Sequence, residues 1–193
     1  SINYSNQTYC NSITTIQSVN LVGTPGGVYT VSPLGLSINA TSGTYTPSTS
    51  TPNTYVVTYT IAAAGGCPVV KDTETVVIYQ TPVIPNKDTI ICNNQLFLYT
   101  PQLTFPATAV VPAGTTYSWT SAPVITPASV TVTGSGMVPL SNSTTITGLL
   151  SHADPNPVDV LYTITPTAGN GCIGNNFTVK VTVNSSPAFT ITP

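Results

Sequence analysis

The chain has 193 residues, of which 40% are hydrophobic and only 4% are charged. Its three Lys and Arg residues are too few to neutralise a nucleic-acid backbone or to bind an anionic membrane surface. No run of about 18 apolar residues predicts a membrane-spanning helix, and the β-branched and aromatic residues recur in runs that disordered chains lack.

Short β-strands separated by turns are predicted along the first half. Runs of β-branched and aromatic residues at 19–22, 28–31 and 55–61 have strand character, and the segment Gly23 to Gly27 is a strong breaker between the first two. The Ser, Thr and Pro stretch at 47–52 is flanked closely by strands, so it is predicted to be an ordered loop.

The second half repeats a hairpin that is already present in the first. Each copy has a Tyr-Thr-Ile strand, a Gly-rich turn with one cysteine, and a β-branched strand that is followed by a proline. This internal repeat predicts two domains, 1–81 and 82–187, with 188–193 as a linker or the start of a further module. The copies comprise 55–61, Cys67 and 73–79 in the first domain, and 160–166, Cys172 and 177–183 in the second.

The predicted fold class is all-β, with two tandem immunoglobulin-like β-sandwich domains. Strands recur every 8 to 12 residues or so, and no helical periodicity is present. The second domain repeats the start of the first, because 89–92 ends in Cys92 as 7–10 ends in Cys10. Trp119, on a strand, is predicted to fill the centre of a sandwich core. The segment as a whole is expected to be an excised part of a longer tandem array.

The four cysteines are predicted to form disulfides. They match no zinc motif, because the chain has no Cys-x-x-Cys pair and His152 is its sole histidine. Three connectivities are possible. One bridge within each domain, Cys10–Cys67 and Cys92–Cys172, matches the repeat and is the predicted pairing. Disulfides indicate an oxidising, extracytoplasmic compartment.

Several strings of the second domain resemble the PKD-like modules of very large surface proteins of Bacteroidetes. They are Tyr117-Ser118-Trp119, 162–166, 170–174 and 177–179. The first domain is similar to companion modules of those proteins through 35–43, 47–52, 58–61 and 66–68. The resemblance implies an adhesin of the gliding or attachment type, exported by the type IX system to the bacterial cell surface. Its partners would be neighbouring modules of the same chain, and it brings no catalytic residues and no cofactor.

Residues that could support catalysis or metal binding are few. The string 151–154 contains Ser, His and Asp, but side chains adjacent in sequence rarely form a triad, so His152 is predicted to be a solvated loop residue and the chain not to be an enzyme. Acidic residues cluster at Asp154 and Asp159, with Asn156 between them, and at Asp72 with Glu74. Neither group has the spacing of a calcium loop, so no metal site is predicted.

Two kinds of glycan-related site are considered. Exposed tyrosines could stack on sugar rings, but those on strands, namely Tyr29, Tyr45, Tyr99 and Tyr117, are predicted to line the cores. Asp88-Thr89-Ile90 resembles the O-glycosylation signal of Bacteroidetes, which implies modification at Thr89.

The predicted function is a structural and adhesive segment of an extracellular stalk or filament. One alternative is a filament subunit that donates the strand 188–192 to its neighbour. The other alternative is a module that binds surface glycans.

Overall fold

A computed structural model describes residues 1–101, 108–119 and 122–186. Fifteen β-strands lie in these ranges, and they are distributed over two compact units, Ser1–Thr81 and Pro82–Pro193. The all-β prediction is confirmed.

Unit 1 contains the first six strands, which form two sheets. They are β1 (Ile2–Tyr4), β2 (Thr8–Cys10), β3 (Val19–Leu21), β4 (Val28–Ser32), β5 (Asn53–Ile61) and β6 (Val70–Tyr79). β1 pairs with β3, and the larger sheet has the order β2-β6-β5-β4. The predicted loop at 47–52 contains a short 3-10 turn, Pro47–Thr49.

The core of unit 1 follows from the alternation along its two longest strands. On β5, Tyr55, Val57 and Tyr59 are buried, and on β6 Val76 and Ile78 are buried, whereas their neighbours are more exposed. Successive strand residues point to opposite faces, so these five side chains cover one face of the sheet.

Unit 2 contains nine described strands. They are β7 (Lys87–Cys92), β8 (Gln95–Tyr99), β9 (Thr116–Trp119), β10 (Val124–Thr126), β11 (Val132–Thr133), β12 (Leu140–Ser143), β13 (Ile146–His152), β14 (Val158–Thr167) and β15 (Phe177–Asn184). One sheet has the order β12-β9-β14-β15-β7, with β10 also paired to β14, and the other has the order β11-β13-β8.

Trp119 lies in the core of unit 2, as predicted. It is 3% exposed, and its ring centroid is 5.3 Å from that of Tyr162 in an edge-to-face arrangement. Phe97 approaches the same tyrosine from the other sheet, also at 5.3 Å between centroids. The two sheets of unit 2 are therefore joined by aromatic side chains.

The internal repeat extends to the backbone pairing. In each unit the strand that ends in the first cysteine, called the entry strand here, runs parallel to the last strand: β2, which follows β1, pairs with β6, and β7 pairs with β15. Cys10 lies opposite Tyr79, and Cys92 lies opposite Asn184. The amide of the residue after each of these cysteines donates to the carbonyl of the opposite residue, at 2.9 Å in both units.

Candidate functional site

Two cysteines are disulfide-bonded in the structure and two are free. Cys10 and Cys172 are bonded, whereas Cys67 and Cys92 are exposed free thiols. The predicted bridges Cys10–Cys67 and Cys92–Cys172 are therefore wrong.

In unit 1 the error arises from the register of β2, which pairs with the last three residues of β6. Cys10 lies opposite Tyr79, the last residue of β6, whereas Cys67 precedes Val70, the first residue of that strand. Cys10 and Cys67 therefore lie near opposite ends of β6. The ten residues of this strand, at about 3.3 Å each, separate them by about 30 Å. The Cα atoms of a disulfide are at most about 7 Å apart, so Cys10 and Cys67 cannot be bridged.

Unit 2 repeats this arrangement. Cys92 lies opposite Asn184 at the end of β15, next to the level where Val183 pairs with Val158. Cys172 lies at the other end of β14, where Thr167 forms a bridge with Ile173. Since β14 has ten residues, the same argument gives a separation of about 30 Å.

His152 is buried rather than solvated, which corrects the prediction for this residue. It is the last residue of β13 and is 6% exposed, and its Nε2 atom lies 3.0 Å from the carbonyl oxygen of Val183. The amide side chain of Asn93 binds its backbone at both polar atoms, at 2.8 and 2.9 Å. The imidazole is thus engaged with backbone in a core and not with Ser151 or Asp154 as a triad would require.

A period-2 signal in the sequence could have placed this histidine. Ile146, Gly148 and Leu150 are buried on β13, and His152 continues that series at the same spacing.

The acidic residues have structural hydrogen bonds. Asp154 Oδ1 accepts hydrogen bonds from the amide and the side chain of Asn156 at 2.8 and 3.2 Å, which is a turn-forming arrangement. Asp159 accepts from the Thr182 hydroxyl at 2.6 Å across β14 and β15. Within the described ranges, no three His, Cys, Asp or Glu residues are grouped so that they could hold a metal ion.

In unit 1 the other acidic pair fixes the N-terminal segment to β6. Asp72 Oδ2 accepts from the Ile2 amide at 2.6 Å, and Glu74 accepts from the side chain of Gln7.

The four tyrosines considered for sugar stacking are all in the cores. Tyr29, Tyr45, Tyr99 and Tyr117 are each at most 4% exposed. The prediction that they line the cores is confirmed, and they cannot form a sugar-binding surface, because a ring must be exposed to stack on a ligand.

Burial also changes the acidity of these phenols. It raises the pKa of Tyr117 to about 12, and it raises the pKa of Tyr45, Tyr99 and Tyr162 as well. The ionised form is disfavoured since a phenolate in a core loses its hydration.

Thr89 lies on β7, half-buried and opposite Val181. Its neighbour Asp88 is exposed, and the Oδ2 atom of Asp88 lies 3.6 Å from the Nζ atom of Lys180. Glycosylation at Thr89 stays a prediction. The proposed donor strand 188–192 lies outside the described residues. In the described part of the chain, no helix has the length and apolarity to cross a membrane.

Comparison with known families decides the classification. Residues 88–187, more than half of the chain, match the family described as PKD-like domain. The chain belongs to the PKD-like domain family. PKD-like and immunoglobulin-like modules are typically structural and non-catalytic, and together with a disulfide they are consistent with an extracellular domain.

The PKD-like chain is also similar to solved structures of multi-domain β proteins. The fibronectin(III)-like modules of Clostridium thermocellum CbhA match at 9% identity with a TM-score of 0.30, and each chain is covered completely. A titin I-band fragment, I67–I69, matches at 7% identity and a TM-score of 0.38 over 96% of this chain and 66% of that one. Drosophila N-cadherin EC1-4 matches at 13% identity and a TM-score of 0.38, over 96% of this chain and 49% of that one. No curated protein matches the chain.

Proposed function

We propose that this chain is a load-bearing segment of an extracellular bacterial surface stalk or filament. Its partners are neighbouring modules of the same protein, and its role is to hold an adhesive region away from the cell. The Bacteroidetes origin and the export by the type IX system belong to this proposal, and they are supported by the motif resemblance of both domains.

The observation that carries the proposal is the parallel pairing of the first and last strands of unit 2, which β2 and β6 repeat in unit 1 although β1 precedes β2 there. In unit 2, β7 lies beside β15 over six residue pairs, from Lys87 opposite Val179 to Cys92 opposite Asn184. The chain enters through β7 and leaves after β15. Tension on the two ends therefore pulls two parallel strands in opposite directions along their axes.

This geometry loads the interstrand hydrogen bonds together. If the terminal strands were antiparallel neighbours joined at one end, tension would break the bonds one at a time. Parallel terminal strands must slide past one another, so all the bonds of the ladder share the force. The stabilising ladder in unit 2 is longer than the β2–β6 ladder of unit 1, which has three residue pairs.

Single-molecule force spectroscopy tests the mechanical role. The chain is held by its ends under reducing conditions, so that all four cysteines are thiols. We expect two unfolding events, with unit 2 requiring the higher force because its β7–β15 ladder has six residue pairs, whereas the parallel β2–β6 ladder of unit 1 has three. The length released assigns each event, since the units differ in residue number. Unfolding of both units at low force without resolved peaks would contradict the load-bearing role.

The location is tested separately on cells. An antibody against the chain is expected to label intact cells of the source bacterium, and the label is expected to be lost in a mutant that lacks type IX secretion. Labelling only after permeabilisation would refute the surface location.

A further inference from the structure

The strand β8 is a sheet edge of unit 2 without the features that usually protect such an edge. Among the described strands it pairs only with β13, so its other side has no partner strand there. Its sequence, Gln-Leu-Phe-Leu-Tyr, contains no charged residue and no proline. Its register with β13 runs through five consecutive pairs without a bulge. A straight, apolar, uncharged edge of this kind is a template for a further strand.

The other three strands at the ends of the two sheets of unit 2 are protected. β7 begins with Lys87 and Asp88, and β11 has only two residues. β12 has an irregular register and contains Asn142, whose φ is positive. Charges, irregular backbone and short length each discourage the addition of another strand. Of these four end strands, β8 alone is open to pairing.

The pairing of β8 with β13 shows which of its residues face the free side. The Leu149 amide on β13 donates to Ser135 Oγ at 2.9 Å, and Ser135 follows β11, which lies on the side of β13 away from β8. Leu149 is opposite Leu96, so this pair is not mutually hydrogen-bonded, and the N–H and C=O groups of Leu96 point to the free edge. Leu98 is two residues further along, so its backbone groups point the same way.

The side chains of the same two residues lie on the outer face of the sheet. Leu96 is 61% exposed and Leu98 is 65% exposed, and Leu149, opposite Leu96, is also exposed. The outer face therefore carries a small apolar patch beside the free edge. A strand that pairs with β8 would cover part of this patch as well as the unpaired backbone groups.

The chain leaves β15 beside the start of β8. The Asn93 amide donates to the Asn184 carbonyl at 2.9 Å, and only Asn94 separates Asn93 from the first residue of β8. The seven residues 187–193 follow the described part of the chain. In extended form they span about 23 Å, whereas the five residues of β8 span about 17 Å. The segment is long enough to follow β8 and begins next to it.

The sequence of this segment suits an edge without charge. Residues 188–192, Ala-Phe-Thr-Ile-Thr, are uncharged and rich in residues that favour strands. Phe189 and Ile191 alternate with threonines, so their side chains share one face of a strand. Pro187 and Pro193 have no N–H group and delimit five residues that can pair, which is the length of β8.

We propose that residues 188–192 pair in parallel with the free edge of β8 in the same chain. Phe189 then lies beside Leu96, and Ile191 beside Leu98, on the outer face. The Thr190 amide donates to the Leu96 carbonyl, and the Thr190 carbonyl accepts from the Leu98 amide, as the slanted bonds of a parallel pair require.

The segment is assigned to its own chain because of its short connection. Residues 185–187 hold it next to β8 at an effective concentration that a segment from a second chain does not reach at ordinary protein concentrations. The added strand therefore completes unit 2, in place of beginning a further module or joining a neighbouring chain. This inference goes beyond the stalk role, which does not depend on residues 188–192.

Amide hydrogen exchange in the full chain, followed by NMR, tests the proposal. The Leu96 and Leu98 amides are expected to be protected, because the segment supplies their acceptors. Thr190→Pro removes the central N–H group of the segment and is expected to speed the exchange of both amides by about tenfold or more. Thr190→Ala keeps this N–H group and, as the matched control, should leave the protection unchanged. The Phe97 amide faces β13, so its slow exchange in every variant shows that unit 2 is folded.

Three results would overturn the proposal. Exchange of the Leu96 and Leu98 amides at the rate of an unpaired chain would mean that the edge stays open. Protection that persists in Thr190→Pro would mean that another segment covers the edge. Protection that increases with protein concentration would mean that the segment comes from a second copy. The β7–β15 ladder contains none of these residues, so this pairing and the load-bearing role can fail separately.

Discussion

The phenols in the cores make the fold sensitive to alkaline pH. Burial raises the pKa of Tyr117 to about 12, whereas an unfolded tyrosine ionises near pH 10. Between these values the unfolded chain has released the proton and the folded chain still holds it. The unfolded state thus binds fewer protons, so the free energy of unfolding falls as pH rises from 10 towards 12, and this contribution is fully present below pH 10.

We expect Tyr117→Phe to weaken this pH dependence. Its hydroxyl has no hydrogen-bond partner among the described residues, so removing it costs little stability at neutral pH. Urea unfolding followed by Trp119 fluorescence reports on unit 2, because this is the sole Trp. The measurement is made in a Cys67→Ser/Cys92→Ser background, so that free thiols do not exchange with the disulfide at high pH.

The control for this prediction is Tyr79→Phe, which removes a half-exposed phenol of unit 1. It is expected to leave the pH dependence of the Trp119 signal unchanged. If Tyr117→Phe and the parent chain lose stability equally between pH 10 and 12, the burial argument for this phenol is wrong.

Sequence patterns located the tyrosines and Trp119 in the cores, because strand alternation reports which face is buried. They did not locate His152, because the string around Ser151 and Asp154 resembles a loop and the period-2 series of β13 was not followed to its end. The side chain of Asn93 also fixes the backbone of His152. Unlike the alternation, this contact between residues far apart in sequence leaves no local pattern.

Two adjacent residues of β14 test whether buried and exposed side chains alternate along this strand. Ile164 is fully buried, and Thr163 is exposed on the opposite face. We expect Ile164→Ala to lower the free energy of unfolding of unit 2 by about 2 to 5 kcal/mol, since it removes buried methyl groups and leaves a cavity. Thr163→Ala is the control and should change stability by less than about 0.5 kcal/mol. Equal effects in urea unfolding would mean that the register of β14 is different.

The strands themselves were predictable, because period-2 runs and glycine turns are local. The disulfide pairing was not, because it depends on which part of the last strand the entry strand pairs with. Pairing at the start of β6 would have brought Cys10 near Cys67. The observed register places Cys10 beside Tyr79 instead. That register is set by tertiary structure, whereas the repeat showed only that each domain contains two cysteines at equivalent positions.

The low charge of the whole molecule predicts a stability that depends little on salt. Eight charged side chains are spread over 193 residues, and the ion pair Lys180–Asp88 has partners that are 38% and 73% exposed. An exposed pair of this kind contributes at most about 1 kcal/mol and is screened by salt. The polar character of the surface comes instead from Thr, Ser and Asn, which are uncharged and form hydrogen bonds with water.

Urea unfolding at low and moderate NaCl concentrations checks this prediction, and urea is used because it is uncharged. We expect the free energy of unfolding to change by less than about 1 kcal/mol between about 0.05 and 0.5 M NaCl, since the screened interactions are few. Sodium sulfate is the positive control: it strengthens apolar burial by exclusion from the surface and should stabilise both units. A large loss of stability in NaCl would show that long-range electrostatic attraction stabilises the fold of each unit. Insensitivity would fit a surface segment that must keep its strength while the ionic strength of its surroundings changes.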